Sequence, residues 1–264
     1  AAMIIEALLI GSFDGIVVGS LVPAGGILSV PILVYILGQD PHQATGLSLI
    51  IVGLTAAVSL ATRARGADVA WREGSLFALA GLAGTWAGST LGPLVSASAL
   101  MLSFCALLGV VALFMVRSQL SPVSSLPEAP VGEGAPSGVS TLVRVIALAT
   151  ATGFLTGFFG VGGGFAIVPA LHLALRYPMK RASATSLLVM VITAAFGVVS
   201  RSLAGSFTIT AEAGVMVALF TAASMAGGVV GARATTRVPN RVLGLVFAAL
   251  LVGVALSTLV ATLS

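Results

Sequence analysis

The chain contains GIVVGSLVPAGGILSVP at residues 15–31 and GFLTGFFGVGGGFAIVP at residues 153–169. Laid over each other at one constant offset, the two stretches share glycines near their starts, a Gly-Gly pair in the middle and a terminal Val-Pro. The same offset aligns ATGLSL at 44–49 with ASATSL at 182–187. The sequence therefore predicts a fold made of two related halves, each interrupted by a glycine-rich break.

The amino-acid composition indicates whether water or lipid surrounds the folded chain. Apolar residues make up 58% of the chain, the mean hydropathy is +1.16 and only 8% of residues are charged, against about a quarter in ordinary soluble domains. We therefore expect a lipid bilayer to surround much of the chain. The net charge is only +4 and no basic run alternates with aromatic residues, so we expect no nucleic-acid partner. A single cysteine, Cys105, excludes an internal disulfide, and no metal-ligand spacing predicts a metal or cofactor.

The apolar segments of the two halves correspond to one another. Each half is predicted to hold one short segment among longer ones that can cross a hydrocarbon core of roughly 30 Å. Helices over the short segments, Ile27–Leu37 and Phe165–Leu175, would reach only about halfway, and each carries a proline in its first turns. The longer predicted segments are Met3–Leu21, Ala44–Thr62, Gly74–Val95, Ala99–Val116, Leu142–Phe159, Ala182–Ser200, Ala211–Val230 and Val242–Leu263.

The positions of Lys and Arg indicate the orientation. One arrangement of the segments places every Lys and Arg except Arg201 on a single face, which the positive-inside rule assigns to the cytoplasm. The loop at 38–43 then lies outside, whereas its basic repeat partner at 176–181 lies inside. Because corresponding loops lie on opposite faces, the two halves are predicted to be inverted copies. Both termini are then predicted to be periplasmic.

These observations predict an all-α integral membrane protein with two inverted-topology repeats. Each repeat is expected to contain one glycine-broken half-helix hairpin and three further transmembrane helices, an organisation typical of secondary transporters. The first repeat covers residues 1–116 and the second covers 142–264. The stretch at 117–141 is rich in Pro, Ser and Gly, so we predict a flexible cytoplasmic linker.

The glycine-rich breaks are the predicted substrate-binding elements. Irregular backbone survives at membrane depth only where it is buried or lines a watered cavity, and a helix that begins there points free N–H groups and its positive dipole end at an anion. The residues concerned are Gly25, Gly26, Gly162, Gly163 and Gly164. The alternative is that these glycines serve only close helix packing, which is the role we predict for Gly84, Gly88 and Gly92.

Hydroxyl residues follow each short segment and are predicted to face the same cavity. They open the next full-length helix of each half, so their side chains could add donors for an oxyanion that must later be released. The predicted substrate-binding set is Thr45, Ser48, Ser183, Thr185 and Ser186. The alternative is that they cap helices or form interhelical hydrogen bonds, as Ser and Thr commonly do in membranes.

Three charged residues are candidates for the transport pathway or for coupling. Arg63 and Arg201 are repeat mates near the ends of equivalent helices and could attract an anion to each mouth of a pathway, or they could extend to the lipid–water interface. Asp14 lies within the first segment, where a carboxylate is a functional candidate by default. Proton coupling at Asp14 is one interpretation, and a hydrogen bond to the nearby loop is the other.

The motif G-x-x-G-x-G-G-G-x-x-x-V-P at Gly157–Pro169, followed by A-x-x-x-S-L, resembles the TauE/SafE family of sulfite-exporter-like membrane proteins. The resemblance covers nearly the whole chain except the linker. The first-half copy departs from the motif, with Val22, Pro23 and Ala24 in place of the corresponding residues of the second half. Membership would imply transport of sulfite, thiosulfate or small organosulfonates across the bacterial inner membrane.

The leading hypothesis is a secondary transporter that moves a small sulfur-containing anion by alternating access. We do not expect an enzyme, and no nucleotide-binding motif points to ATP as the driver. The alternatives are a passive anion channel on the same scaffold, or a membrane enzyme or assembly factor that handles a sulfur group. The anion, the direction, the coupling ion and the oligomeric state stay open.

Overall fold

In a computed structural model of the chain, the residues that the structure describes are 29–36, 38–63, 69–120, 139–175, 177, 179–205, 211–234, 249 and 251–260. Every regular element within these ranges is helical, as predicted. The predicted segment Met3–Leu21, with Asp14, and the first glycine-rich break, with Gly25 and Gly26, lie outside the described residues.

The helices follow one another in the order that the apolar segments predict. They are α1 (Ser29–Pro31, continued by a π-helical turn over Ile32–Ile36), α2 (Pro41–Arg63), α3 (Trp71–Leu91, followed by a 3₁₀ turn over Gly92–Leu94), α4 (Ala97–Leu120), α5 (Val139–Phe159), α6 (Gly164–Leu175), α7 (Met179–Leu203), α8 (Ala211–Ala234) and α9 (Leu251–Val260).

Three of the described helices are long and apolar enough to cross a membrane. The spans are Pro41–Ala61 in α2, Leu142–Phe159 in α5 and Arg181–Leu203 in α7. Shorter apolar helical stretches occur at Ala97–Leu113, Val217–Gly227 and Leu251–Val260. The prediction of an all-helical protein with membrane-spanning segments is therefore confirmed.

The ends of α4 and α5 lie inside the stretch that we assigned to the linker. α4 continues to Leu120, so the residues from Arg117 onward prolong the helix, and α5 begins at Val139. The residues between these two helices are not among those described.

Glycines bring the backbones of α3 and α5 into direct contact. A Cβ atom at Gly84 would overlap the carbonyl oxygen of Thr150, and one at Gly88 would overlap that of Phe154. A Cβ at Gly92 would lie 3.0 Å from the carbonyl oxygen of Phe158. The predicted small-residue packing face of α3 is confirmed, and it holds the first half against the second.

The antiparallel pair of α2 and α7 forms the centre of the described structure. A Cβ at Gly53 would lie 3.2 Å from the Cβ of Ala194, and one at Gly197 would lie 3.1 Å from Cδ1 of Leu49. Further along, Thr45 near the start of α2 meets Arg201 near the end of α7. α3 packs against α7, α8 packs against α2, and the short α6 packs against both α5 and α7.

Two buried apolar clusters fill the space around this pair. One joins α1 and α2 to α4, α8 and α9. The other joins α6 and α7 to α2, α3 and α5. Each cluster contains one short helix and residues from both halves of the sequence. The two halves therefore share their interior, and burial of these apolar residues links the halves.

Candidate functional site

The glycine-rich segment between α5 and α6 is a buried, irregular piece of backbone. Gly160, Gly162 and Gly163 have φ angles of 67°, 69° and 65°, in the left-handed region that other residues rarely adopt. The segment is buried from Gly160 to Gly164. A helix break of this kind can be sustained only by glycine, which explains the run of four glycines around Val161.

α2 and α7 enclose this segment from two sides. A Cβ at Gly160 would overlap the backbone of Thr45, and one at Gly162 would overlap a methyl group of Val52. On the other side, the Cε of Met190 lies 3.6 Å from the Cβ position of Gly162. The glycines are therefore needed both for the left-handed backbone and for this close approach to α2.

The segment leaves backbone donors at the start of α6. The N–H groups of Ala166 and Ile167 donate to the carbonyl oxygen of Gly163 at 2.8 and 2.7 Å. Within the described part of the chain, no acceptor is found for the N–H groups of Gly162, Gly163 or Gly164. Free N–H groups at a helix start are where an anion binds favourably.

Ser48 is a predicted site residue that is buried on α2, between two residues that contact the glycine segment. Its side chain is fully buried and its hydroxyl has no hydrogen-bond partner in the structure. It lies on the same face of α2 as Thr45 and Val52, one helical turn from each, and both of these contact the glycine segment. An unsatisfied buried hydroxyl is unfavourable by about 1–3 kcal/mol, so Ser48 has a donor to offer at this place.

Ser186 stands in the same relation to the glycine segment from the α7 side. It is one turn before Met190, as Ser48 is one turn before Val52, and it is fully buried. Its hydroxyl donates to the carbonyl oxygen of Ser183 at 2.8 Å. That local bond occupies the proton of Ser186, whereas the hydroxyl of Ser48 has no partner, so the two repeat-related serines differ in this structure.

Thr185 has a packing role. It is fully buried, its hydroxyl oxygen accepts a hydrogen bond from the N–H of Ala70 at 3.1 Å, and its methyl faces Gly74 of α3. It therefore faces the connection from α2 to α3, on another side of α7 from Ser186. The side chain of Ser183 is half-buried, and no described residue accepts or donates a hydrogen bond at its hydroxyl.

Arg201 is the largest fully buried side chain of the described residues, with 1% exposure. Its Nη1 donates to Oγ1 of Thr45 at 2.9 Å, and its Nη2 donates to the carbonyl oxygens of Gly157 at 2.8 Å and Phe158 at 3.3 Å. The two carbonyls belong to the last turn of α5, where a cation is favoured by the helix dipole. Arg201 thus joins α7 to α2 and to the end of α5.

The acceptors around Arg201 are neutral. Its Nε has no hydrogen-bond partner, and no described carboxylate forms an ion pair with the guanidinium. The side chain is enclosed by the helices and is not exposed at the protein surface. A positive charge buried with neutral acceptors gives this part of the protein a potential that favours anions.

Several residues that complete this arrangement were missing from our sequence-based set. The acceptors at Gly157 and Phe158 are backbone carbonyls, and a side-chain pattern does not show them. Thr156 is fully buried beneath the glycine segment, where a Cβ at Gly163 would overlap its hydroxyl. The sequence offered one signal for these missed residues, which is the internal repeat, because Gly157 aligns with Gly19.

Other candidates are only partly described. The backbone of Arg63 ends α2, but its side chain is not among those described, nor are Gly25, Gly26 and Asp14. Cys105 is a buried free cysteine on α4. In the part of the chain that the structure describes, no three His, Cys, Asp or Glu residues come together as metal ligands.

Comparison with known proteins assigns the chain to a family. The family described as “Sulfite exporter TauE/SafE” matches residues 7–258. The chain belongs to the TauE/SafE family. It is similar to a “Probable membrane transporter protein” of Xylella fastidiosa (strain Temecula1), with 33% identity over 260 residues, covering 92% of this chain and 93% of the relative. It is also similar to the “Probable membrane transporter protein YunE” of Bacillus subtilis (strain 168), with 32% identity over 210 residues, covering 71% of this chain and 74% of that protein.

The resemblance that the sequence motif indicates is thus confirmed along nearly the whole chain. This TauE/SafE protein is a multi-pass membrane transporter, and α2, α5 and α7 supply its clearest spans. No solved structure was found to match the chain. The geometry of its glycine segment and of Arg201 therefore adds to what the family name says.

Proposed function

We propose that this TauE/SafE protein moves a small sulfur-containing anion, such as sulfite, thiosulfate or an organosulfonate, across the bacterial inner membrane by alternating access. The family's name supplies the substrate class. Among the described residues, a buried place beside the glycine segment holds unpaired hydrogen-bond donors, the Ser48 hydroxyl and N–H groups before α6. A sulfur oxyanion presents only acceptors, so its chemistry complements that place.

The observation that carries the proposal is the unpartnered, fully buried hydroxyl of Ser48, on the face of α2 whose residues Thr45 and Val52 contact the glycine segment. The free N–H groups of Gly163 and Gly164 supply further donors. Ser186 can add a second hydroxyl donor by rotating its hydroxyl away from the Ser183 carbonyl. Amides and hydroxyls without a bound cation suit an anion that must leave again on the other side.

The packing of the helices supports an inverted-repeat interpretation of the fold. α6 packs against α7 as α1 packs against α2, and α3 packs against α7 as its repeat mate α8 packs against α2. The pair of α2 and α7, themselves repeat mates, lies between them. These reciprocal contacts are what a two-fold axis in the membrane plane would produce, with the short α1 and α6 as half-helices.

The burial of Arg201 supports the proposed orientation, with a cytoplasmic linker and periplasmic termini. Arg201 was the single exception to a consistent distribution of Lys and Arg. The positive-inside rule counts basic residues in loops and near helix ends that are exposed to the aqueous phase. A guanidinium enclosed by α2, α5 and α7 does not contribute to that count, so the exception has a physical reason.

Uptake into proteoliposomes tests the proposal. We expect saturable uptake of radiolabelled sulfite or thiosulfate by the wild type, and an uptake at least about tenfold lower in Ser48→Ala, since about 1.4 kcal/mol of lost binding corresponds to a factor of ten. Ser103→Ala is the matched control, because Ser103 is exposed on α4 and bonds only its own helix.

The outcomes separate the alternatives. Equal uptake by Ser48→Ala and the wild type would refute the site, and absence of uptake of either anion by well-folded protein would refute the substrate class. Flux that rises linearly with concentration and shows no counterflow would indicate a passive channel instead of a transporter. Repeating the assay with and without a pH gradient reports whether protons are coupled.

A further inference from the structure

The guanidinium of Arg201 bonds both elements that contribute donors to the proposed anion site. Its Nη1 bonds Thr45, which lies one helical turn before Ser48 on α2. Its Nη2 bonds the carbonyl oxygens of Gly157 and Phe158, in the last turn of α5 before the glycine segment. One side chain of α7 therefore reaches the face of α2 that carries the unpaired hydroxyl and the helix end from which the glycine segment starts.

The glycine segment and α2 are in close backbone contact at the same place. A Cβ at Gly160 would overlap the carbonyl group and the Cα of Thr45. The N–H of Gly160 donates to the carbonyl oxygen of Thr156 at 3.0 Å, so the segment continues directly from the helix end that Arg201 holds. A shift of the α5 end relative to α2 would therefore change the separation between the glycine segment and Ser48.

The hydroxyl of Thr45 is fixed by two hydrogen bonds. Its Oγ1 accepts from Nη1 of Arg201 at 2.9 Å and donates to the carbonyl oxygen of His42 at 2.8 Å. The second bond uses the single proton of the hydroxyl, so its remaining lone pairs are available to the guanidinium. Thr45 is also buried, with 1% exposure. In this structure Thr45 therefore serves to hold Arg201 against the first turn of α2.

The shape of the arginine side chain suits these contacts. A guanidinium presents its donors in a planar, rigid fork, whereas a lysine amine is a single point of charge on a flexible stem. Here the fork contacts three oxygens on two helices. Asp40, a described carboxylate near the start of α2, is exposed and accepts from the N–H of His42 instead. The bonds of Arg201 to described residues are thus all made to oxygens that fix the position of a helix.

We propose that Arg201 is a positioning residue for the transported anion. Through its bonds to α2 and α5 it sets the separation between the Ser48 hydroxyl and the free N–H groups at the start of α6. An anion can accept from both elements at once only at the correct separation, because hydrogen bonds weaken steeply with distance and angle. The inference rests on the proposed function, which assigns the anion to these donors.

The KM for sulfite uptake into proteoliposomes tests the proposal. Thr45→Val removes the acceptor hydroxyl, keeps the side-chain shape and should raise the KM about tenfold, whereas Thr45→Ser should stay within about twofold of the wild type. A merely structural role would lower the amount of folded protein and leave the KM unchanged. In a Ser48→Ala background, Thr45→Val should raise the KM less than about twofold further, because the donor that it positions is gone. Thr90→Val is the matched control, since that hydroxyl bonds only its own helix, and it should leave the KM unchanged.

Arg201→Lys separates positioning from charge. Lysine keeps the positive charge but cannot bond Thr45 and both α5 carbonyls together, so we expect the KM to rise about tenfold here too. A wild-type KM in Arg201→Lys would show that the charge alone is sufficient and would overturn the positioning role. Effects of Thr45→Val and Ser48→Ala that simply multiply would also overturn it, and this test holds even if Arg201→Lys fails to fold.

Hydrogen exchange followed by mass spectrometry needs no substrate, so it separates this inference from the proposed function. Peptides that cover residues 160–167 should exchange about tenfold faster in Thr45→Val than in the wild type or in Thr90→Val. That result in a protein that transports neither sulfite nor thiosulfate would uphold the positioning role and refute the proposed substrate. Exchange in Thr45→Val at the wild-type rate would overturn the positioning role, whatever the transport result.

Discussion

Replacement of Gly162 by alanine probes whether the glycine segment is held by backbone conformation alone or also by contact with α2. Its φ of 69° lies in the left-handed region, where a residue with a Cβ is disfavoured by about 1–2 kcal/mol. The new methyl would also overlap Cγ1 of Val52, and overpacking of a filled interior adds about 1–3 kcal/mol. The expected destabilisation is therefore about 2–5 kcal/mol.

Gly205→Ala isolates the first contribution. Gly205 has a φ of 65°, and an added Cβ would meet nothing within 4 Å. Alanine there should lower the free energy of unfolding by about 1–2 kcal/mol only. The second contribution is isolated by combining Gly162→Ala with Val52→Ala, which removes the overlapping methyl group.

Equilibrium unfolding of the purified protein in mixed micelles, followed by helical circular dichroism, provides the free energies of a double-mutant cycle. We expect a favourable coupling of about 1–3 kcal/mol between the two substitutions, since Val52→Ala relieves the overlap. If Gly162→Ala were no more destabilising than Gly205→Ala, or if the coupling were absent, the close packing of the glycine segment on α2 would be refuted.

Two further predictions concern other parts of the structure. Gly88→Leu should separate α3 from α5 and abolish the monodisperse folded fraction in size-exclusion chromatography, because its Cβ would overlap a backbone carbonyl. Gly109→Leu is the control, since a Cβ at Gly109 meets open space, and this variant should leave that fraction unchanged. Burial and then the Glu73 carboxylate raise the pKa of Tyr177, so its phenol stays neutral to a higher pH than a free tyrosine. Spectrophotometric titration in a Tyr35→Phe background should show Glu73→Gln lowering that pKa, and an unchanged or higher pKa would contradict the role of the carboxylate.

The sequence was sufficient for features that depend on local chemistry. The α6 helix begins at Gly164 and ends at Leu175, nearly as predicted, because glycines that need positive φ stop a helix and a long apolar run resumes it. The packing face of Gly84 and Gly88 was predictable for a similar reason, since regularly spaced glycines leave a groove on any helix. Ser48 was selected as a candidate because the repeat pairs it with Ser186, and the structure shows that it is fully buried.

The features that sequence analysis missed depend on tertiary partners. Arg201 was expected at a pathway mouth or at the interface, and its burial depends on the oxygens of Thr45, Gly157 and Phe158, which lie far away along the chain. Thr185 looked equivalent to Ser186 by spacing, but the helix turns it towards α3. A residue one position further along a helix faces a different neighbour, and periodicity alone does not say which neighbour each residue meets.

The order of synthesis gives the hydrogen bonds of Arg201 a further consequence. Thr45, Gly157 and Phe158 all precede Arg201 in the chain, so every acceptor of the guanidinium is already made when α7 leaves the ribosome. The charged side chain can enter the bilayer directly onto these oxygens and need not cross hydrocarbon alone. We therefore expect insertion of α7 to depend on helices that are already in the membrane.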